Sequence, residues 1–454
     1  MYLPIIKTLY TMKMIRIIAA LAALVILAGT AGCRKHDKAD ADELLKTIPS
    51  SASFVAVANI SEILEETGCK VDDGKVSDTE QLRAAISRMK KDKERRLLTL
   101  FLDGESGVEP SVSAFFAETS GTYNAGILAD PGKFKSLVEK ETGKSFADDN
   151  GCEVAGNIAV KGNRYWMHLN SSSIDAATVN GFAGLGEKQS FLSNPYGKNL
   201  REVEDAVEGW GNIQALMALG DLDFQSRALA QVGLQTIFKD AENIRFNISF
   251  DKSEMKAEAG ILDSKGRHAK LLYPVSKVDV ATVKEIGGNA EVLIAMAIPN
   301  KFVSGLIKAT SGQNASMLGI YAKLFSCVDG TAAFAATNTP DPSLKGVITT
   351  TGENTTELSD MLSRTGLSVV KDGKQLKVTK GAVTGSLDVA ASAERFKDAA
   401  AGIIIDGSLT GKNPAERDVK DISIALAPYD GSLRLVVKAH ARSDNDRIIL
   451  SLIK

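Results

Sequence analysis

The chain has 454 residues, 44% of them hydrophobic and 24% charged. That length suggests roughly two to four domains, and the composition excludes a disordered, collagen-like or polytopic membrane protein. With 54 Lys and Arg against 56 Asp and Glu, the net charge of -2 favours neither nucleic acid nor an acidic surface, and 4 cysteines are too few for a disulfide-built scaffold.

Lys7, Lys13 and Arg16 precede an uncharged run, Ile17 to Gly29, of about thirteen residues. A bilayer-spanning helix needs roughly twenty. A basic flank, a short apolar run and small residues after it read as a secretory signal peptide, residues 1–32. Met1, Met12 and Met14 are all candidate starts. The run ends in Thr30-Ala31-Gly32-Cys33, which resembles the bacterial lipobox, with Thr30 where Leu is usual. In a lipobox, signal peptidase cuts before a cysteine whose thiol carries diacylglycerol, so Cys33 is the expected lipidation site. Each buried acyl methylene contributes about 0.8 kcal/mol, and two or three chains would hold the protein on a membrane. Arg34 is not the Asp of inner-membrane retention, which favours the outer membrane, on its periplasmic face or at the cell surface. Residues 33–43 lack aromatics and read as a lipidated, solvated tether. Its acids, Asp37, Asp40, Asp42 and Glu43, resemble the surface-export signals of Bacteroidota lipoproteins.

Beyond the tether, LLKTIPSSASFVAVANISEIL (44–64) sets an Ile-Pro-Ser-x-Ala turn before an apolar strand, with a helix from Ser61. That pattern resembles a Bacteroidota envelope lipoprotein family classed as a domain of unknown function. The resemblance implies an envelope lipoprotein and carries over no site residues.

The chain also repeats itself. Ile48–Ile60 matches Ile286–Ile298, each a turn, an apolar strand and a helix (Ser61 to Thr67; Lys301 to Thr310). Gly126-Ile127-Leu128-Ala129 matches Gly346-Val347-Ile348-Thr349, each leading to a helix closed by Thr-Gly, at Gly143 and Gly366. Asn243–Leu262 and Ile422–Ala439 both alternate apolar and polar residues about a polar turn, as a hairpin with one buried face does. These matches define a first unit, 44–270, a linker at 271–277 containing Pro274, and a second unit, 278–454. Apolar spacings of three and four predict helices over Gln81–Arg96 and Arg201–Leu219. Alternation predicts strands at Ala114–Ala117, Ile158–Val160 and Tyr165–Leu169. The expected class is α+β, two related domains, each an antiparallel sheet with helices packed on one face.

No catalytic motif is complete. Gly143-Lys144-Ser145 ends like a phosphate-binding loop, but Val138 stands where the opening glycine belongs. Gly184-Leu185-Gly186 lacks the third glycine of a dinucleotide fingerprint, having Gln189 there. Ser87-Arg88-Met89-Lys90 and Ser443-Asp444-Asn445 match two penicillin-recognition motifs, but the third, Arg364-Thr365-Gly366, departs from Lys-Thr-Gly and stands out of order. His36, His168, His268 and His440 show no metal-ligand spacing. Asp221-Leu222-Asp223 and Asp444-Asn445-Asp446 lack the glycine and distal Glu of a calcium loop. Neither cofactor nor metal is expected. Cys69 and Cys152 are candidates for one disulfide or for free thiols, with Cys327 left over. The basic run Arg88–Arg96 reads as a solvated helix face.

The sequence therefore points to a lipid-anchored cell-envelope lipoprotein, not an enzyme, with a binding or scaffolding role toward a protein or envelope-glycan partner. The alternatives are an envelope hydrolase acting on glycan or peptide, and a solute-binding lipoprotein with its ligand between the units. The membrane is engaged through the lipid anchor, and no nucleic acid is expected.

Overall fold

A computed structural model of the chain describes residues 39–453, apart from 73–74, 90, 119, 171–172, 220–230, 232–233, 301–326, 340, 353–354, 410–418 and 444–445. Cys33, the expected signal peptide, His36, the expected 301–310 helix and the Asp221 and Asp444 motifs lie outside those residues.

Contacts divide the chain into two compact units. The first comprises Met1–Leu219, Asn247–Lys252 and Arg447–Lys454; the second comprises Gly220–Phe246 and Ser253–Asp446. The expected linker, 271–277, is no boundary on this division. Leu271 donates its N–H to the Gly431 carbonyl and Lys277 pairs with Asp398, all within the second unit.

The first unit is built on strands β1 (Phe54–Asn59), β2 (Val108–Ala117), β3 (Tyr123–Ala129), β4 (Ala147–Asp149), β5 (Cys152–Ala155), β6 (Ile158–Lys161), β7 (Arg164–His168) and β8 (Val207–Asn212). They pair antiparallel throughout, in the order β4-β5-β6-β7-β3-β2-β1-β8. The second unit has β9 (Glu254–Leu262), β10 (Val292–Ile298), β11 (Val328–Ala336), β12 (Leu344–Thr350), β13 (Ser368–Asp372), β14 (Gln375–Lys380), β15 (Ala401–Asp406), β16 (Val419–Tyr429) and β17 (Ser432–Ala441). Their order is β13-β14-β12-β11-β10-β15-β16-β17-β9, again antiparallel. The run β6-β7-β3-β2-β1-β8 of the first sheet thus has the same connectivity as β13-β14-β12-β11-β10-β15 of the second. Both β2 and β11 carry a bulge near their start, between Val108 and Ser113 and between Val328 and Ala332.

Register tests the sequence matches one by one. Val57 lies opposite Ala114, and Ala295 opposite Ala333, so the Ile48–Ile60 match with Ile286–Ile298 is in phase. The second match slips by one residue. Ala114 faces Gly126, but Ala333 faces Val347, so the counterpart of Gly126 is Val347, not Gly346. Successive strand residues point to opposite faces, and such a slip exchanges inside for outside.

The class is α+β with antiparallel sheets and helices, as expected, but the helices use both faces. In the first unit, helix Pro131–Thr142 packs Phe134 and Val138 on Ile127, Ala129 and Tyr165. Its ends follow local rules: Asp130 accepts the Lys133 N–H, Pro131 opens the helix, and Gly143 closes it at φ 69°. On the opposite face, Thr47 accepts the indole N–H of Trp166, and Phe182 of helix Ala176–Ala183 stacks edge-on against Phe116. The second unit does likewise. Leu358 of helix Thr355–Arg364 joins Ala332, Ile348 and Leu376, while Val283, Val389 and Ala393 pack on Leu293, Ala333 and Val347.

Three other expectations change. The 201–219 helix is a strand, β8, followed by a short helix, Ile213–Leu219. Val207–Gly211 is buried throughout and shows no strand alternation, while Trp210 packs on Phe191 and Tyr196. The 81–96 helix is two, Glu80–Ser87 and Asp92–Leu102. The expected tether is folded from Ala39 on: Ala39–Asp40 pairs with Glu202–Val203, Ala41 is buried, and Asp42 and Glu43 are ion-paired to Arg201 and Arg164.

Candidate functional site

The catalytic look-alikes are structural where they are described. Gly143-Lys144-Ser145 follows a helix C-terminus, Gly184 caps another, and Ser87 donates its hydroxyl to the Ala84 carbonyl within its own helix. The basic run is partly neutralised by Lys91–Glu94, Arg95–Asp92 and Arg96–Glu141 pairs. Cys69, Cys152 and Cys327 are free and buried, and burial pushes all three thiols up in pKa. Among the described residues no group of three His, Cys, Asp or Glu is placed to hold a metal.

The second unit carries a charged ladder across three strands. Asp421 on β16, His440 on β17 and Glu254 on β9 lie side by side. His440 Nδ1 is 2.8 Å from Asp421 Oδ1, and its Nε2 is 2.9 Å from Glu254 Oε2. Arg395 forks onto both oxygens of Asp421, at 2.5 and 3.0 Å, and Lys438 pairs with Glu254. Burial pushes the Asp421 carboxyl up, but the His440 hydrogen bond and the Arg395 guanidinium outweigh it and hold the pKa at about 2. Each group is engaged by its neighbours, so the ladder reads as a clamp between strands.

Two clefts are more informative because each is lined at the end of the same repeated strand, at His168 in one and Thr379 in the other. In the first unit a cleft of about 500 Å³ opens beside the β2–β3 turn, between Ser120–Thr122 on one side and His168, Asn170 and Ser173–Asp175 on the other. In the second unit a smaller one, about 140 Å³, is lined by Gly287, Gly288, Lys345 and Thr379 among others. His168 faces Asn124 across β7–β3, and Thr379 faces Lys345 across β14–β12. Asn124 in turn faces Phe116, and Lys345 faces Ala335, so the two pairs are counterparts.

The first cleft has a polar rim that includes His168, Asn170 and Asp175. His168 Nδ1 lies 2.9 Å from the Ser173 carbonyl, which can only accept, so Nδ1 carries a proton and donates it there. Its Nε2 is buried and has no partner. Asn124, 0% exposed, donates Nδ2 to Glu118 at 2.9 Å, while its Oδ1 is also buried and unpartnered. A buried acceptor left unmade costs about 1–3 kcal/mol. Asn124 and His168 are cross-strand partners on β3 and β7, and of the two His168 alone lines the cleft. Asp175, at the cleft edge, caps helix Ala176–Ala183, and the Thr178 backbone N–H holds its carboxyl below the usual range. No lysine or arginine lines this cleft. The sequence signal was faint: a lone Asn inside the apolar strand YNAGILA, beside a histidine far away in the chain.

No family model matches the chain, and no curated protein matches it. It is similar to solved structures of TP0453. Crystal form IV shares 8% identity at a TM-score of 0.32, over 48% of this chain and 79% of that one. Form I shares 8% at 0.28, over 77% and 95%, and form III 7% at 0.31, over 77% and 96%. Likeness at that level assigns no role.

Proposed function

We propose that this is a cell-envelope lipoprotein, acylated on Cys33, held at the outer membrane and serving to bind or scaffold. The observation that carries the reading is the closeness of the folded body to the lipobox-like Thr30–Cys33. Ala39–Asp40 is already strand-paired to Glu202–Val203. Residues 34–38 and their flanking bonds reach at most about 20 Å, so an acyl group on Cys33 would hold the first unit next to the bilayer. The cleft of that unit, with His168, Asn170 and Asp175 on its rim, is the candidate for binding.

Cells fed labelled palmitate are expected to mark the wild-type protein and not Cys33→Ala, and the variant is expected to leave the membrane pellet. Equal labelling of both would overturn the lipoprotein reading.

A further inference from the structure

We infer that the small cleft of the second unit is a binding site for a phosphate group, held by the Lys345 ammonium, the Thr379 hydroxyl and the Gly288 backbone N–H. The site lies apart from the first-unit cleft and does not depend on acylation of Cys33. Lys345, Thr379 and Gly288 all line the cleft, and all three are exposed. Lys345 and Thr379 are cross-strand partners on β12 and β14, so their side chains rise from one face within reach of each other. Gly288 stands just before the short pair Asn289–Ala290 with Leu387–Asp388. Its carbonyl accepts from the Val389 N–H, while its own N–H has no acceptor among the described residues.

What the three share is a donor without a partner. Other lysines of the β13–β14 hairpin are engaged, Lys377 with Asp372 and Lys380 with Asp341. Lys345 has no ion pair, and the Thr379 hydroxyl no hydrogen bond, among the described residues. Asn289 adds a side-chain amide to the lining, and none of the described lining residues is acidic. An ammonium, a hydroxyl and a peptide N–H opening on one cleft match an anion with several acceptor oxygens. A phosphate monoester presents three such oxygens. At about 140 Å³ the cleft has room for one head group of that size and not for an oligosaccharide. The first unit does not repeat this set, since Asn124 and His168 stand at the corresponding positions and Asp175 borders its cleft.

The test uses the full chain at fixed ionic strength with inorganic phosphate, glycerol 3-phosphate and acetate, reading the Gly288 amide resonance. A second arm floats the Cys33→Ala chain on vesicles with and without phosphatidic acid, so that no acyl anchor carries it. Inorganic phosphate is expected to move the Gly288 amide saturably. Lys345→Gln should weaken that binding by about tenfold or more, the loss of a charged hydrogen bond, and Thr379→Val by about threefold. Both side chains are exposed, so neither variant should move the ligand-free thermal midpoint appreciably. Lys374→Gln removes an exposed lysine from the β13–β14 turn, outside the cleft lining, and should leave phosphate affinity unchanged. A tighter response to glycerol 3-phosphate than to inorganic phosphate supports a soluble phosphomonoester. Flotation that needs phosphatidic acid and is lost in Lys345→Gln supports the same site with a lipid headgroup. Acetate binding as tightly as phosphate overturns the phosphate class. A stationary Gly288 amide, or equal weakening by Lys374→Gln, overturns the site, whatever palmitate labelling of Cys33 shows.

Discussion

The first and second units share six strands in one order and differ in what those strands present. At one position of the shared sheet the first unit buries Trp166, 1% exposed, with its indole N–H on Thr47. Trp166 faces Gly126 and Lys377 faces Val347, so Lys377 is its counterpart, ion-paired to Asp372 near the surface. At the sheet end, β6 is covered by β5 and then by the acidic strand β4. The corresponding β13 pairs only with β14 among the described residues and leaves Val370 59% exposed. Strand order therefore tolerates wide changes in side chains, because antiparallel pairing is made by backbone and constrains only which face each residue meets.

Substitution can break that comparison at four places. Trp166→Ala should cost about 3–5 kcal/mol in chemical denaturation, whereas Lys377→Ala should cost under about 1 kcal/mol; equal losses would mean that the positions are not counterparts. Next is acid. Asp421 is depressed when folded, so its stabilisation is present above its unfolded pKa near 3.8 and is lost as pH falls toward 2. The loss is about 2 kcal/mol across that window. Asp421→Asn should flatten it, and denaturation midpoints between pH 5 and 2 would show whether it does. Third come the two glycines that look alike in sequence. A Cβ on Gly346 would sit 2.4 Å from the Phe334 ring, against 3.6 Å from Leu44 for Gly126. Gly346→Ala should cost about 1–3 kcal/mol, and Gly126→Ala much less. The smallest effect belongs to the edge: Val370→Thr should stay within about 0.5 kcal/mol, while Val160→Thr, inside the covered counterpart edge, should exceed it.

Much of the fold was legible where one physical rule acts alone. The Asp130-Pro131 start and Gly143 stop of one helix follow from capping, and the strands from alternation or apolar runs. The hairpin turn Asp430-Gly431 has φ 46° and 68°, both positive as a tight two-residue turn requires. Reading failed where two rules compete. Val207–Asn212 is buried on both faces, so its apolar spacing fits a helix by accident. The break near Arg88–Lys91 interrupts a stripe that continues on either side. The acids of the tether read as solvated charges in sequence because their partners, Arg164 and Arg201, are far off along the chain. The juxtaposition of Asn124 with His168 is invisible in sequence for the same reason, since only strand pairing brings them together.

One further consequence comes from the chain's return. Helix Ile448–Ile453 buries Ile448 and Ile449 in the first unit, and Arg447 donates to the carbonyls of Glu65 and Glu66. The first unit is therefore left unfinished while the second is still being made. Its closing stitch follows the whole second unit in the chain, so the first unit completes its packing only after the second has been synthesised.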